Sequence, residues 1–280
     1  MNNYRTKLED FRKLHQLSST FVLPNAWDAM SAKMFEEGGF RAIGTTSAGI
    51  AASLGYQDGQ QIPFDQMLTV LDRIVQAVNV PVSADIEAGY GKTVEEIVKN
   101  VQRIIETGVV GINIEDGTGD PDAPVEEISS QVEKITAIKE LSSATEPGLF
   151  INARTDLYWL DIGDPSSRFQ KTLDRVKAYE EAGADCIFVP GLNDKETIQY
   201  LRAEISCPIN LLVSPDLPSL KELSKIGIER VSTGSAPFRA TVTLLKKVSE
   251  EINNEKNFHL LTEDVLPYRK MFSSENNLVN

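Results

Sequence analysis

The chain has 280 residues, and its 28 lysines and arginines against 41 aspartates and glutamates leave a net charge of −13. A composition that is 41% hydrophobic and 25% charged is that of a soluble globular protein with one sizeable core or two modest ones. No apolar run reaches roughly 18 residues and no basic cluster interrupts the acidic balance, so we expect no membrane span and no affinity for nucleic acid or anionic membrane.

The opening MNNYRTKLEDFRKLH lacks the apolar stretch of a signal peptide, which points to a cytoplasmic protein, and its spacing predicts a helix over about 4–16. From there short apolar, β-branched runs alternate with longer amphipathic stretches. Strands are predicted at 21–23, 42–45, 82–85, 111–115, 150–153, 186–189, 209–212 and 230–233. Helical patterns lie between and after them at about 28–37, 63–77, 93–106, 125–141, 165–182, 194–202, 217–226 and 236–252. Glu-Gly-Gly-Phe (37–40), Glu-Thr-Gly-Val (106–109), Glu-Ala-Gly-Ala (181–184) and Lys-Ile-Gly-Ile (225–228) each put a glycine where a helix would end in a left-handed cap. Eight βα units in about 250 residues fit a closed (β/α)8 TIM barrel, an α/β fold, better than an open doubly wound sheet, and no GxGxxG follows the first strand. The expected organisation is an N-terminal helix (1–20), the barrel (21–253), and a C-terminal helix with a polar Ser-Ser-Glu-Asn-Asn tail (254–280).

In such a barrel the chemistry collects after the carboxyl ends of the strands. There the chain carries Asn25-Ala26-Trp27, Thr45-Thr46-Ser47-Ala48-Gly49, Asp85-Ile86-Glu87-Ala88-Gly89-Tyr90-Gly91, Glu115-Asp116 and Arg154-Thr155-Asp156. Carboxylates crowded at one mouth raise each other's pKa unless a cation neutralises them. A hard divalent metal is the simple answer, with Asp85, Glu87 and Glu115 as direct or water-mediated ligands; the alternative is helix caps and surface salt bridges. Ser47-Ala48-Gly49 suits close approach of backbone N–H groups to an anionic oxygen, or else makes a tight packing turn. Arg154 would be costly on an apolar axis unless paired, either with Asp156 or Glu115 or with a substrate carboxylate. Trp27 either walls the pocket or packs in the core, and Arg239 either pairs within the last helix or meets a neighbouring subunit.

Cys186 and Cys207, both read as buried, are too few for a disulfide framework or a thiolate zinc site. The two histidines, His15 and His259, fall outside the expected active site. Triads, histidine-held zinc and Cys–His nucleophiles therefore have almost nothing to be made from.

From about Leu23 to Arg239 the chain resembles the isocitrate lyase and phosphoenolpyruvate mutase superfamily. The likeness rests on Pro24-Asn25-Ala26-Trp27-Asp28, Thr46-Ser47-Ala48-Gly49, Asp58, Ala84-Asp85-Ile86-Glu87-Ala88-Gly89-Tyr90-Gly91, Ile114-Glu115-Asp116, Ala153-Arg154-Thr155-Asp156 and Arg230-Val231-Ser232-Thr233-Gly234. The resemblance implies a TIM barrel, often with its last helix exchanged between subunits, in a homo-oligomer that is a dimer or a dimer of dimers (a homotetramer). It implies Mg2+ or Mn2+ and a small anionic 2-oxo or 2-hydroxy acid substrate. Carried over by position, Asp85 is the nearest metal ligand, and Asp58, Glu87 and Glu115 hold the metal's waters. The backbone of Ser47, Ala48 and Gly49 takes the substrate carboxylate, Thr46 and Trp27 border it, and Arg154 pairs with the same substrate. Arg154 and Asp58 are the implied catalytic pair. Glu87 stands where the family pattern has Asp.

The departures narrow the activity. Isocitrate and methylisocitrate lyases carry Lys-Lys-Cys-Gly-His after the fourth strand, with the Cys as acid, whereas here the loop reads Gly117-Thr118-Gly119-Asp120-Pro121-Asp122. The Lys and Asn of the phosphoenolpyruvate mutase loop are also missing. Pro190-Gly191 follows the sixth strand in place of a Glu, and the seventh ends in Leu212-Val213-Ser214. The expectation is a Mg2+-dependent lyase or decarboxylase, not isocitrate lyase itself, acting on a small 2-oxo or 2-hydroxy dicarboxylic acid through a metal-stabilised pyruvate-enolate-like intermediate. The alternatives are carbon–phosphorus chemistry of the mutase or phosphonopyruvate hydrolase type, metal-assisted acyl hydrolysis, and a barrel that binds a 2-oxo acid without turning it over.

Overall fold

A computed structural model describes residues 2–144 and 148–271. The chain divides into two compact units with the boundary between Ser235 and Ala236. The polar tail expected beyond residue 271 lies outside the described residues.

The first unit begins with α1 (Asn2–Leu14) and continues through β1 (Phe21–Leu23), β2 (Asn25–Ala26), α2 (Ala29–Glu37), β3 (Ile43–Thr45), α3 (Ser47–Ser53), α4 (Phe64–Ala77) and β4 (Val82–Asp85). It goes on with α5 (Val94–Glu106), β5 (Gly111–Glu115), α6 (Ile128–Ala144), β6 (Phe150–Arg154), α7 (Pro165–Glu181) and β7 (Cys186–Phe188). It ends with α8 (Lys195–Glu204), β8 (Ile209–Leu212), α9 (Leu220–Ile226) and β9 (Arg230–Ser232). All strand pairs are parallel, in the order β1-β9-β8-β7-β6-β5-β4-β3-β2.

That order is an eight-position barrel whose first strand is split. β1 pairs with β9 (Leu23 opposite Ser232), and β2 pairs with β3 (Asn25 opposite Gly44), so one extended segment joins both edges of the sheet. Pro24 divides it because it has no N–H to give a ladder, although its carbonyl still accepts from Gly44 N–H at 2.8 Å.

Side chains alternate across each strand. Val82 and Ala84, Ile112 and Ile114, Ile151 and Ala153, and Ile209 and Leu211 belong to the main core with the helices. Their neighbours, Ser83, Asp85, Asn113, Arg154, Arg230 and Ser232, face a cavity inside the barrel. The interior is thus polar, where a barrel of this kind usually stacks branched aliphatics.

Helix α5 shows how the outer ring forms: Thr93 caps it by accepting from Glu96 N–H, and Ile97, Val101 and Ile104 repeat at one face and are buried. At the end of α9, Gly227 takes the left-handed cap conformation (φ 93°) that a side chain would strain.

Helix α1 buries Leu8, Phe11 and Leu14 in a second core cluster with Leu23, Val110, Phe150 and Cys186. Val110, Phe150 and Cys186 stand at or just before the first residues of their strands, so α1 packs at the amino ends of the strands. His15, which the sequence places in a charged helix, is buried there with its ring stacked on Phe150 and edge-on to Phe11 and Phe21. Cys186 is buried as expected, whereas Cys207 is only half-buried, and both are free thiols. Helix α3 is an addition to the expected loop: Thr46 Oγ1 accepts from Gly49 N–H, and the run of Ser, Ala and Gly coils behind that cap.

The second unit holds α10 (Ala236–Glu250), a π-helical turn at Glu251–Glu255, α11 (His259–Thr262) and a 3-10 turn at Tyr268–Lys270. Within it the Glu251 carboxylate accepts from Leu260 N–H. Among the described residues no helix is long and apolar enough to cross a membrane.

Candidate active site

A cavity of about 90 Å3 opens within the barrel, lined by Thr46, Ser47, Ala48, Asp58, Asp85 and Arg154 among others. Asp85 ends β4 and is fixed on both carboxylate oxygens. Oδ2 accepts from Ser47 N–H at 3.1 Å and Ser47 Oγ at 2.9 Å, and Oδ1 accepts from Asn113 Nδ2 at 2.9 Å. Asn113 is held in turn by Asn152 Nδ2 at 3.0 Å, and Asp85 N–H donates to Thr45 Oγ1 at 2.9 Å. The start of α3 and strand β5 therefore hold the carboxylate, with β6 steadying Asn113 and β3 the Asp85 peptide.

Asp58 comes from the loop after α3. Burial and the neighbouring Asp85 push its carboxyl above the usual range. Glu87 is buried behind the cavity, not on its lining, with a left-handed backbone (φ 52°). Its Oε1 accepts from Tyr90 Oη at 2.6 Å and its Oε2 from Gln60 N–H at 2.5 Å. Burial pushes the Glu87 carboxyl up to about 7, Tyr90 pulls it back, and Asp85 and Asp58 push the same way as burial.

Arg154 ends β6 between two carboxylates. Nη1 lies 2.8 Å from Glu115 Oε2, while Nε and Nη2 fork onto Asp156 at 2.5 and 3.1 Å. Burial drives Glu115 well above its ordinary value and Arg154 opposes that shift. Both structural partners considered for Arg154 are thus present, and the same side chain lines the cavity. The guanidinium has five N–H donors, so some remain for a ligand.

Other expected residues fall outside the lining. Gly49 spends its N–H on Thr46 Oγ1, and Ser47 N–H is on Asp85, so Ala48 carries the peptide N–H of this segment that has neither partner. Trp27 packs against the main core. Glu115 reaches the site through Arg154. Thr118, Asp120 and Ala123 hydrogen-bond among themselves on the exposed loop after β5, which gives the cavity no side chain.

The lining contains Asn25, read at the end of the first strand, and also residues that reading strand ends alone does not find: Asn113, Trp159, Phe188, Arg230 and Ser232. Asn113, Arg230 and Ser232 were legible as polar residues at alternate positions inside apolar strands. Trp159, in the turn after Asp156, carried no such signal.

Among the described residues no three His, Cys, Asp or Glu side chains are placed to grip a metal together. The donor set still fits Mg2+ or Mn2+. Mg2+ is commonly held by one or two carboxylates and keeps several waters, and half-buried Asp85 beside the more exposed Asp58 forms an acidic pair whose mutual repulsion a divalent cation would relieve.

A family model described as phosphoenolpyruvate phosphomutase matches residues 11–253. The chain belongs to this family. An uncharacterized protein of Mycobacterium tuberculosis is 38% identical over 231 residues, covering 82% of this chain and 83% of that one. The 2,3-dimethylmalate lyase of Eubacterium barkeri is 32% identical, covering 69% and 67%, and an oxaloacetate decarboxylase of Pseudomonas fluorescens is 27% identical, covering 83% and 80%. Among solved structures, a protein of Burkholderia cenocepacia J2315 superposes with a TM-score of 0.90 at 33% identity, covering 97% of this chain and 96% of that one. The phosphoenolpyruvate phosphomutase family and its superfamily thus include relatives that cleave carbon–carbon bonds of small dicarboxylic acids.

Proposed function

We propose that this chain is a Mg2+-dependent carbon–carbon lyase or decarboxylase whose substrate is a small 2-oxo dicarboxylate. The observation that carries the reading is the lining itself: Asp85 and Asp58 on one side, Arg154 on the other, and no His, Cys or Lys. Decarboxylating a β-keto acid needs an electrophile at the ketone but no base to remove a carbon-bound proton. When bound, the divalent cation supplies positive charge beside the 2-oxo and carboxylate oxygens.

In this reading Asp85, locked by Ser47 and Asn113, holds the cation with Asp58. Arg154 turns its remaining N–H groups toward the substrate carboxylate, and Ala48 N–H adds a neutral donor. As the bond to the departing carboxyl breaks, its electron pair moves to the adjacent carbon and the 2-oxo oxygen, and carbon dioxide leaves. Asp58, a carboxylate on the same lining, is the group we assign to orient the water that returns a proton to the enolate carbon.

Carbon–phosphorus chemistry would need groups to position a phosphoryl moiety, and the loop at 117–122 offers no Lys, Arg or His. The test is a proton and phosphorus NMR time course with Mg2+ on oxaloacetate, 2-oxoglutarate, phosphonopyruvate and 2-methylisocitrate. Pyruvate from oxaloacetate above the metal-only rate, lost in Asp85→Ala, is the expected result. Phosphate from phosphonopyruvate would transfer the assignment to carbon–phosphorus cleavage. An unchanged panel would sink the lyase reading in favour of a binding barrel.

A further inference from the structure

Arg230 opens β9 at the level where Phe21 and Asn210 flank it, is only 3% exposed, and lines the same cavity as Asp85 and Arg154. Its one hydrogen bond among the described residues runs from Nε to Ser232 Oγ at 3.1 Å, and Ser232 Oγ donates to Asn210 Oδ1 at 3.1 Å. Among the described residues Nη1 is buried without a hydrogen-bond partner, and no carboxylate forms an ion pair with the guanidinium. Arg154 has two such partners; Arg230 has none.

Among the other buried donors in the same condition are Ser83 Oγ, which lines the cavity from β4, and Asn210 Nδ2, on the strand paired with Arg230. A buried guanidinium without an ion-pair partner is costly, and unpaired buried donors add to that cost. An anion in the cavity would offset both. A carboxylate suits the place because it accepts a guanidinium fork and has further lone pairs for a hydroxyl. Phe188 and Leu212 line the cavity along with the two charged sites, an apolar wall that matches the carbon chain of a ligand with an acid at each end.

We propose that Arg230, assisted by Ser83, forms a buried subsite for the second carboxylate of a short dicarboxylate whose 2-oxo acid end lies at Asp85 and Arg154. This deepens the lyase reading and rests on it for the identity of the ligand's other end. Arg230 here selects diacids over monoacids.

The test compares succinate with butyrate, which differ in a carboxylate against a methyl, binding to the full-length Mg2+-loaded protein by isothermal titration calorimetry. We expect wild type to prefer succinate by roughly tenfold or more, as a charge-assisted pair gives. Arg230→Met should bring the ratio close to unity, and Arg230→Lys should keep part of it. An unchanged ratio in Arg230→Met overturns the subsite. Should Arg230→Met fail to fold, Ser83→Ala carries the test: a ratio lowered several-fold supports the subsite, and an unchanged one overturns it. If chloride raises the melting temperature as much as succinate does, and Arg230→Met loses that rise, the place belongs to an inorganic anion and the substrate assignment falls. Binding is read without turnover, so the two readings fail separately. A succinate preference that depends on Arg230, in a protein inert to every 2-oxo acid, removes the lyase and keeps the subsite; turnover with an unchanged ratio does the reverse.

Discussion

Arg154 and Glu115 meet across adjacent strands, Nη1 to Oε2 at 2.8 Å, while the other edge of the same guanidinium is forked onto Asp156. One cation thus neutralises two buried acids and still faces the cavity. Arg154→Met leaves both acids without a counter-charge and should destabilise the protein by about 3–5 kcal/mol in urea unfolding. Arg154→Lys should keep more of that stability, yet a point charge cannot reproduce the fork, so turnover should fall by roughly 100-fold. Wild-type turnover in Arg154→Lys would reduce the residue to a structural pair.

Gly117 has a place in the same cluster. A Cβ added there would stand 2.7 Å from Asp156 Oδ2, closer than carbon and oxygen tolerate. Gly117→Ala should therefore push the Asp156 carboxylate off Arg154 and cost about 1–3 kcal/mol through overpacking. Turnover should fall more than melting temperature suggests, because the displaced acid orients the arginine that faces substrate. Equal loss in Gly117→Ala and in a surface alanine control would contradict this.

Metal retention separates Asp85 from Glu87. Asp85→Asn should abolish the Mn2+ binding seen by electron paramagnetic resonance in wild type. Glu87→Gln removes a carboxylate outside the cavity lining and should weaken binding by only about 10- to 100-fold, the range for groups that act behind the ligands. Chelation should stop turnover and added Mg2+ should restore it. Equal loss in both variants would place Glu87 in direct contact with the cation.

The barrel and the core of the site were legible for a local reason: each strand is a short apolar run, α2, α5, α7 and α9 end at punctuating glycines, and Asp85, Glu115 and Arg154 are charges at strand ends. The split at Pro24 was hidden because a proline inside an extended segment changes its pairing partner without changing its hydropathy. Helix α3 was hidden because seven residues of Ser, Ala, Gly and Ile show no period. Arg230 was visible only as part of a strand, since nothing in a linear pattern says that a charge lacks a partner. The burial of His15 was hidden for the opposite reason: the charges around it conceal the Leu8, Phe11, Leu14 stripe that carries it into the core.

His15 also gives an acid sensitivity with a definite sign. Burial and the Arg230 charge lower its pKa from 6.5 to about 3, against a weaker opposing hydrogen bond to Phe11 O. The folded state then binds fewer protons than the unfolded state between those values, so stability is present above about 6.5 and is lost as pH falls toward 3. Between pH 6.5 and about pH 5 the loss should be on the order of 2 kcal/mol. The raised carboxyls of Asp58, Glu87 and Glu115 contribute with the opposite sign, so the difference between wild type and His15→Phe isolates the histidine. Urea unfolding at several pH values should give a shallower acid decline in His15→Phe, and parallel curves would refute the assignment.

Helix α10 leaves no residue buried, although it carries Val242, Leu244 and Leu245, which are 46%, 49% and 60% exposed. In the same unit Leu260, Leu261, Val265 and Leu266 are each more than 40% exposed. So many exposed large apolar side chains in one short segment are what an association surface would present. The exchanged last helix implied by the family resemblance would cover it with a second copy of the chain. Light scattering after size exclusion should then give a dimer or tetramer. Leu245→Glu should shift the population toward smaller species and lower the melting temperature in a concentration-dependent way, because stability is then linked to association. A monodisperse monomer in wild type would refute the exchange, and a tetramer unmoved by Leu245→Glu would place the contact on another face.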